Sequence, residues 1–363
     1  MKSTTLIRLC FSLVLVGFIL YLSGAKSFFS GTLDSPFFSV ALLSLFLILV
    51  RTGVTLREFL WTALLFSALA ALEFRLIGYP SIWPVWLSLV GMASFATLSL
   101  RLIWSPSPQR RLAAFVLIPS VLFVVSEWCA SYLLYWTELL HPKALDLYLY
   151  SFDASMGLQL PFLMGRFFAH LPTFAWACNI VYIGLPVAIG LVYAGCCMRD
   201  TRTALAACIA FLLTGPIGIL LYNLFPALGP IHLFRSDFPW HPLTFEQTHH
   251  LFLESVRIPG ARNAIPSLHA AWIFLVFWHA RGLSRVEKVA AALCVVLTLC
   301  ATIGTGEHYF VDLVVAVPFA LLILALTNLL VGHHRLQQFL PLGIGLATTL
   351  AWLFGLRYAP HLF

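Results

Sequence analysis

Two short segments hold residue types suited to group transfer: Asn263-Ala264-Ile265-Pro266-Ser267-Leu268-His269 and Gly306-Glu307-His308-Tyr309-Phe310-Val311-Asp312. His308 and Asp312 stand four apart at the head of a long apolar run, a spacing that puts both side chains on one helix face, a turn apart. A carboxylate placed there accepts the Nδ1 proton, fixes the tautomer and leaves Nε2 to attack phosphorus. The same carboxylate stabilises the cation that forms. His269, from the other segment, suits a general acid to the leaving oxygen, since an imidazole titrates near about 6.5. Pro266 is expected in the first turn of a helix, where its missing N–H costs nothing. The free N–H groups of that turn, with the Ser267 hydroxyl, form an anion site. Each residue also has a plainer reading, His269 as a helix-to-helix hydrogen-bond partner and Ser267 as a simple cap. Asp312, a turn inside an apolar helix, is costly to keep there unless it is used.

The elements that carry these residues follow from composition. Of 363 residues, 61% are hydrophobic and 10% charged, against roughly a quarter charged in soluble domains. Lipid is therefore the main solvent. The net charge of +7 comes from basic residues scattered between apolar runs, which is the pattern of membrane topology and not of nucleic-acid binding. With no short alternating segments to close a barrel, the backbone must satisfy itself as helices.

An all-α, polytopic bundle is expected, with spans near 6–24, 36–50, 58–77, 82–103, 112–136, 171–196, 203–225, 266–280, 288–304, 308–331 and 338–356, eleven in all. An uncleaved first helix is favoured over a signal peptide cut after Ala25. Residues 1–104 form appended helices before the Ser105-Pro106-Ser107-Pro108 break, and 338–363 an extra C-terminal helix. Thirteen Lys and Arg fall on one side of this arrangement and eight on the other, so the N-terminus is expected in the cytoplasm. The connections 137–170, 226–265 and 305–307 then lie outside, and both chemical segments with them.

The connection 137–170 is expected to lie along the membrane interface, because Leu145, Leu147, Leu149 and Phe152 alternate with Asp146, Tyr148, Tyr150 and Asp153. The connection 226–265 is rich in Pro, His and aromatic residues, as functional loops are. The eight cysteines lie in or at the ends of apolar runs with no CxxC pair, and are expected as packing residues.

Pro266-Ser267-Leu268-His269 and His308-x-x-x-Asp312 resemble the second and third signature motifs of the phosphatidic acid phosphatase type 2 superfamily. Ile265-Pro266-Ser267-Leu268-His269-Ala270 with His308-Tyr309-Phe310-Val311-Asp312 is particularly similar to the branch of the inositol phosphorylceramide synthases. The resemblance spans 112–331 and implies a six-helix catalytic core working without metal or other cofactor. It implies His308 as nucleophile through a phosphohistidine, Asp312 as its partner, His269 as acid or base, and Ser267 as a phosphate contact. A lipid phosphate or phospholipid is the implied substrate, with water or an inositol, sugar or ceramide hydroxyl as acceptor. The implied setting is a bacterial inner (plasma) membrane, with the site on its outer side.

The chain departs from the superfamily in lacking any Arg-Pro dipeptide, and in carrying Thr302 where an Arg stands six residues before the nucleophile. Other donors must then meet the phosphate charge. Arg262 is the first candidate, with Arg257, Arg235 and His232 behind it. Tyr222 and Asn223, at the end of the seventh span, occupy the place of the missing basic motif. Glu127, Asn179 and Tyr182 are expected at the depth of His308, lining a substrate pocket. Two rival readings are a zinc hydrolase built on His232, His241, His249, His250, His269 and His308, and a transporter.

Overall fold

A computed structural model describes residues 36–77, 83–104, 107–157, 159–332 and 335–358. The expected span 6–24 lies outside the described residues. The chain packs as two compact units, Met1–Val124 with Pro186–Asp200, and Val125–Leu185 with Thr201–Phe363.

In the first unit, α1 (Pro36–Arg51) and α2 (Leu56–Ile77) both pack on α3 (Trp83–Trp104). Polar side chains supply contacts that the hydrophobic effect cannot supply between helices in lipid. Ser88 donates to Ser39 at 3.0 Å, Thr62 and Thr97 pair at 2.8 Å, and Arg101 grips Glu58 at 2.7 Å. The long α4 (Ser107–Leu140) begins in this unit and runs on into the second.

The second unit contains α5 (Asp146–Ser155), α6 (Leu160–His170), α7 (Pro172–Ile183), α9 (Thr201–Leu224), α12 (Leu268–Ala280), α13 (Arg285–Gly304), α14 (Phe310–Leu330) and α15 (Arg335–Tyr358). α12 packs on α9, α13 and α14, and α15 packs on α14 and α5. A close approach of two helices rests on Gly345 of α15, where a Cβ would lie 2.8 Å from the Leu322 backbone nitrogen on α14.

Among the described residues, five helices are long and apolar enough to cross a membrane: α3, α9, α13, α14 and most of α15. A sixth span results if α7 and α8 (Leu185–Arg199) count as one. The sequence suggested a single helix over 171–196, but it breaks after Ile183. Pro186 supplies the reason, since its ring would meet the carbonyl four residues earlier and it has no N–H to give. α12 has 13 residues, about 20 Å of helix, short of a core about 30 Å thick. Leu220, Leu293, Val296, Val317 and Leu321 on the spanning helices are exposed, as surfaces solvated by lipid require.

The connections at the expected outer end are built, not loose. Between α4 and α6, residues 143–144 form a strand paired antiparallel with 256–257, and α5 follows at once. Residues 226–265 carry α10 (Pro230–Phe234), a 3-10 turn at Arg235–Asp237 and α11 (Phe245–His249). α11 opens with a capping box, Thr244 accepting from the Gln247 N–H while the Gln247 side chain accepts from that of Thr244.

Candidate active site

The two chemical segments meet at the heads of α12 and α14. Pro266 was expected inside the first turn, yet α12 begins at Leu268 and Ser267 is its N-cap. The cap residue is the one whose side chain can accept an orphan N–H, and Ser267 Oγ accepts from the Ala270 backbone at 3.3 Å. His308 likewise precedes its helix. α14 begins at Phe310 behind Tyr309, so His308 and Asp312 are not two positions on one helix face. Asp312 is the third residue of the helix and turns back, its Oδ2 accepting the Tyr309 N–H at 2.8 Å and lying 3.3 Å from His308 Nδ1.

His308 Nδ1 also lies 2.9 Å from the Ala264 carbonyl oxygen, nearer than Asp312. Both neighbours are acceptors, so the Nδ1 proton stays on the ring and Nε2 carries the lone pair. That Nε2 faces Ser267 Oγ at 3.2 Å. Ser267, His308 and Asp312 are all buried, and among the described residues Asp312 Oδ1 has no hydrogen-bond partner. The imidazole is thus oriented by one carbonyl and one carboxylate, with Nε2 beside a hydroxyl at a helix N-terminus.

His269, one residue into α12, stacks on Tyr182 of α7 with ring centres 4.0 Å apart, and its Nδ1 lies 3.1 Å from the Tyr182 hydroxyl. It is within electrostatic reach of His308. Tyr222, buried near the end of α9, bonds to the Leu268 backbone and lies near Asp312 and Tyr182. Asn179 stands on α7 one turn before Tyr182. The Glu127 side chain lies outside the described residues.

Arg262 and Asn223 belong to an adjoining network. Arg262 is fully buried, with Nε donating to the His141 carbonyl at 2.9 Å and Nη1 to the Gly260 carbonyl at 2.6 Å. Its backbone N–H donates to Thr137 at 2.9 Å. Among the described residues, Nη2 has no hydrogen-bond partner. The Asn223 Oδ1 meets His141 Nε2 at 3.1 Å, and its amide donates to the Ile219 carbonyl. Arg262 ties the end of α4 to the loop that leads into Ser267, and Asn223 ties α9 to His141 just beyond α4.

Two buried carboxylates not singled out in the sequence complete the frame. Asp146 Oδ1 accepts from the Gly229 backbone at 2.8 Å and the Tyr309 hydroxyl at 3.2 Å, and its Oδ2 accepts from Leu228 at 3.1 Å. Asp153 accepts from Phe310 N–H at 2.6 Å and Val311 N–H at 3.1 Å. Burial pushes Asp146 up to about 6 and Asp153 to about 7, against the hydrogen bonds that favour their charged forms. The seven-residue spacing on a helix was the signal available for them.

At the mouth of the site, His232 and Glu307 lie 3.6 Å apart and half exposed. This ion-pair contact holds Glu307 below the usual carboxylate range and His232 above that of a free imidazole. Gly229 (φ +145°) packs so tightly on the Glu307 carbonyl that no Cβ fits there. Among the described residues, no three His, Cys, Asp or Glu side chains converge as a metal site, and none of the seven described cysteines forms a disulfide.

Residues 147–326, which contain both segments, match the model of the PAP2 superfamily. No curated protein and no solved structure matches the chain. The match supports that superfamily, and with the long apolar helices it is consistent with a membrane enzyme of the phosphatase or phosphotransferase type.

Proposed function

We propose, on the PAP2 superfamily match and the buried His308–Ser267 pair, that this chain cleaves or transfers a lipid phosphate ester at the outer face of a membrane. The observation that carries the reading is His308 itself. Its Nδ1 is held by two acceptors and its Nε2 lies 3.2 Å from the hydroxyl that caps α12. A phosphoryl group seated at the head of α12 would take Ser267 Oγ and the first helix N–H groups as donors. Nε2 attacks phosphorus, the P–O bond to the leaving group breaks, and His269 gives its proton to the departing oxygen. A second nucleophile then attacks the phosphohistidine, returning its proton to His269 and freeing His308. Water as that nucleophile releases phosphate, whereas a hydroxyl of inositol, a sugar or ceramide yields a new ester, as in the inositol phosphorylceramide synthase branch.

In this reading eleven helices cross a bacterial inner membrane around a six-helix core, the short α12 by local thinning of the bilayer, with the N-terminus inside. Arg262 Nη2, Tyr182, Tyr222, Asn179, Asn223 and Glu127 are the remaining candidates for substrate contacts. The test is phosphate release and new ester formation from a panel of lipid phosphates and phospholipids, with and without alcohols, by purified protein and its His308→Ala variant. Turnover that survives His308→Ala sinks the proposal.

A further inference from the structure

The α5 helix has no role in the mechanism above, yet it puts two buried carboxylates on one face, seven residues apart, toward the backbone around His308. Asp153 takes the Phe310 and Val311 N–H groups at 2.6 and 3.1 Å, the first two of α14. Asp146 takes the Tyr309 hydroxyl at 3.2 Å, and with the Leu228 and Gly229 N–H groups it fastens the 226–235 loop to the same place. That loop closes the other side, since Ile231 N–H donates to the Gly306 carbonyl at 2.9 Å and Gly229 abuts the Glu307 carbonyl. The residues flanking His308 on both sides are therefore held from α5, directly on one side and through the loop on the other.

We propose that Asp153 and Asp146 are positioning residues for His308, so that α5 sets where its Nε2 points while Asp312 supplies the negative charge beside Nδ1. The inference rests on His308 being the nucleophile. Asp312 closes the Tyr309 N–H and approaches Nδ1, but it rides on α14 and moves with it. The Ser267 N–H joins the two heads by donating to the Asp312 carbonyl at 3.2 Å, and α5 adds an anchor that belongs to neither helix. A carboxylate that accepts two N–H groups at once fixes both distance and rotation, and charge-assisted bonds of this kind are roughly twice as strong as neutral ones.

The arrangement has a second effect. The N–H groups at the head of α14 are already taken, by Asp153 at Phe310 and Val311 and by Asp312 at Tyr309. Those three donors are therefore closed to an incoming phosphate, while Nε2 faces Ser267 Oγ.

The test compares Asp153→Asn and Tyr309→Phe with wild type as purified, detergent-solubilised full chains. kcat and KM are measured on a lipid phosphate that wild type turns over, beside the thermal unfolding temperature. An amide in place of the carboxylate turns an N–H donor toward one of the two backbone N–H groups and tilts the helix head. Since a misplacement near 1 Å costs about 100-fold in rate, Asp153→Asn is expected to lower kcat roughly 10- to 100-fold with KM within about threefold. Tyr309→Phe removes one hydroxyl and is expected to lower kcat by a few fold at unchanged KM.

A lowered unfolding temperature with wild-type kcat in both variants overturns the proposal and leaves α5 a stabilising element. Should Asp153→Asn fail to fold, Tyr309→Phe decides: a kcat loss at constant KM supports the proposal, and wild-type kcat overturns it. Full activity in His308→Ala would instead overturn the assignment of the nucleophile, an outcome separable from either of these.

Discussion

The Nδ1 proton of His308 has two acceptors, and the nearer one is a backbone carbonyl. Ala264 O lies at 2.9 Å and Asp312 Oδ2 at 3.3 Å. Asp312→Asn therefore leaves the tautomer in place and removes chiefly the charge that stabilises the imidazolium. A loss of about 10- to 100-fold in kcat is expected, smaller than the roughly 10⁴-fold that follows when the carboxylate alone sets the tautomer. His308→Ala is expected to abolish turnover, and both follow from steady-state kinetics on one lipid phosphate.

At this scale the sequence was informative about chemical type and silent about geometry. His308, Asp312, Ser267 and His269 were recognisable from two short motifs. That His308 stands before its helix was hidden, because four-residue spacing looks the same on a helix face and across a helix cap. Asp146 and Asp153 were placed on the polar side of an interfacial segment, because they fill core positions that a pattern search reserves for apolar residues. Along α5 the buried set is Asp146, Leu149, Tyr150, Asp153 and Ala154, a regular helical face once the two carboxylates are admitted.

At the scale of elements, the heads of α12 and α14 carry the site, and their caps link folding to chemistry. Ser267→Ala removes the acceptor for the Ala270 N–H and is expected to cost about 1 kcal/mol of stability, together with a kcat loss larger than any change in unfolding temperature would explain. Gly229→Ala puts a side chain on a backbone at φ +145° against the Glu307 carbonyl. Reduced folded yield and a lower unfolding temperature are expected, read by size exclusion and a thermal ramp. The ten apolar runs expected within the described residues all lie on helices, since continuous apolar stretches carry the strongest signal a sequence offers. Breaks inside them were harder to place. Pro186 ends a helix after Ile183, whereas Pro119 and Pro318 stay inside theirs, and only packing distinguishes these cases.

Across the whole molecule, pH dependence follows from the two carboxylates of α5. Both titrate above the ordinary 3.8, Asp146 at about 6 and Asp153 at about 7, through desolvation and the nearby charge of Asp312. A raised carboxyl pKa means the folded form prefers the protonated acid. Its stabilising contribution is complete below the ordinary value and is lost as pH rises through about 6 and about 7. The unfolding temperature is expected to decline from pH 5 to pH 8, and Asp153→Asn to flatten that decline.

The proposed orientation has its own test. In a cysteine-depleted chain on intact cells, an impermeant maleimide should label Glu246→Cys and spare Arg285→Cys, and the reverse pattern would invert the topology. α15 gives the architecture a temporal side. It packs on α14 and on α5, where Trp352 meets Phe152 edge-on at 5.5 Å, and it is the last of the described helices to leave the ribosome. The support beneath α5 is thus completed only when α15 has entered the bilayer. A nascent chain whose two motifs are already in place would remain inert, and the onset of turnover would report that insertion has finished.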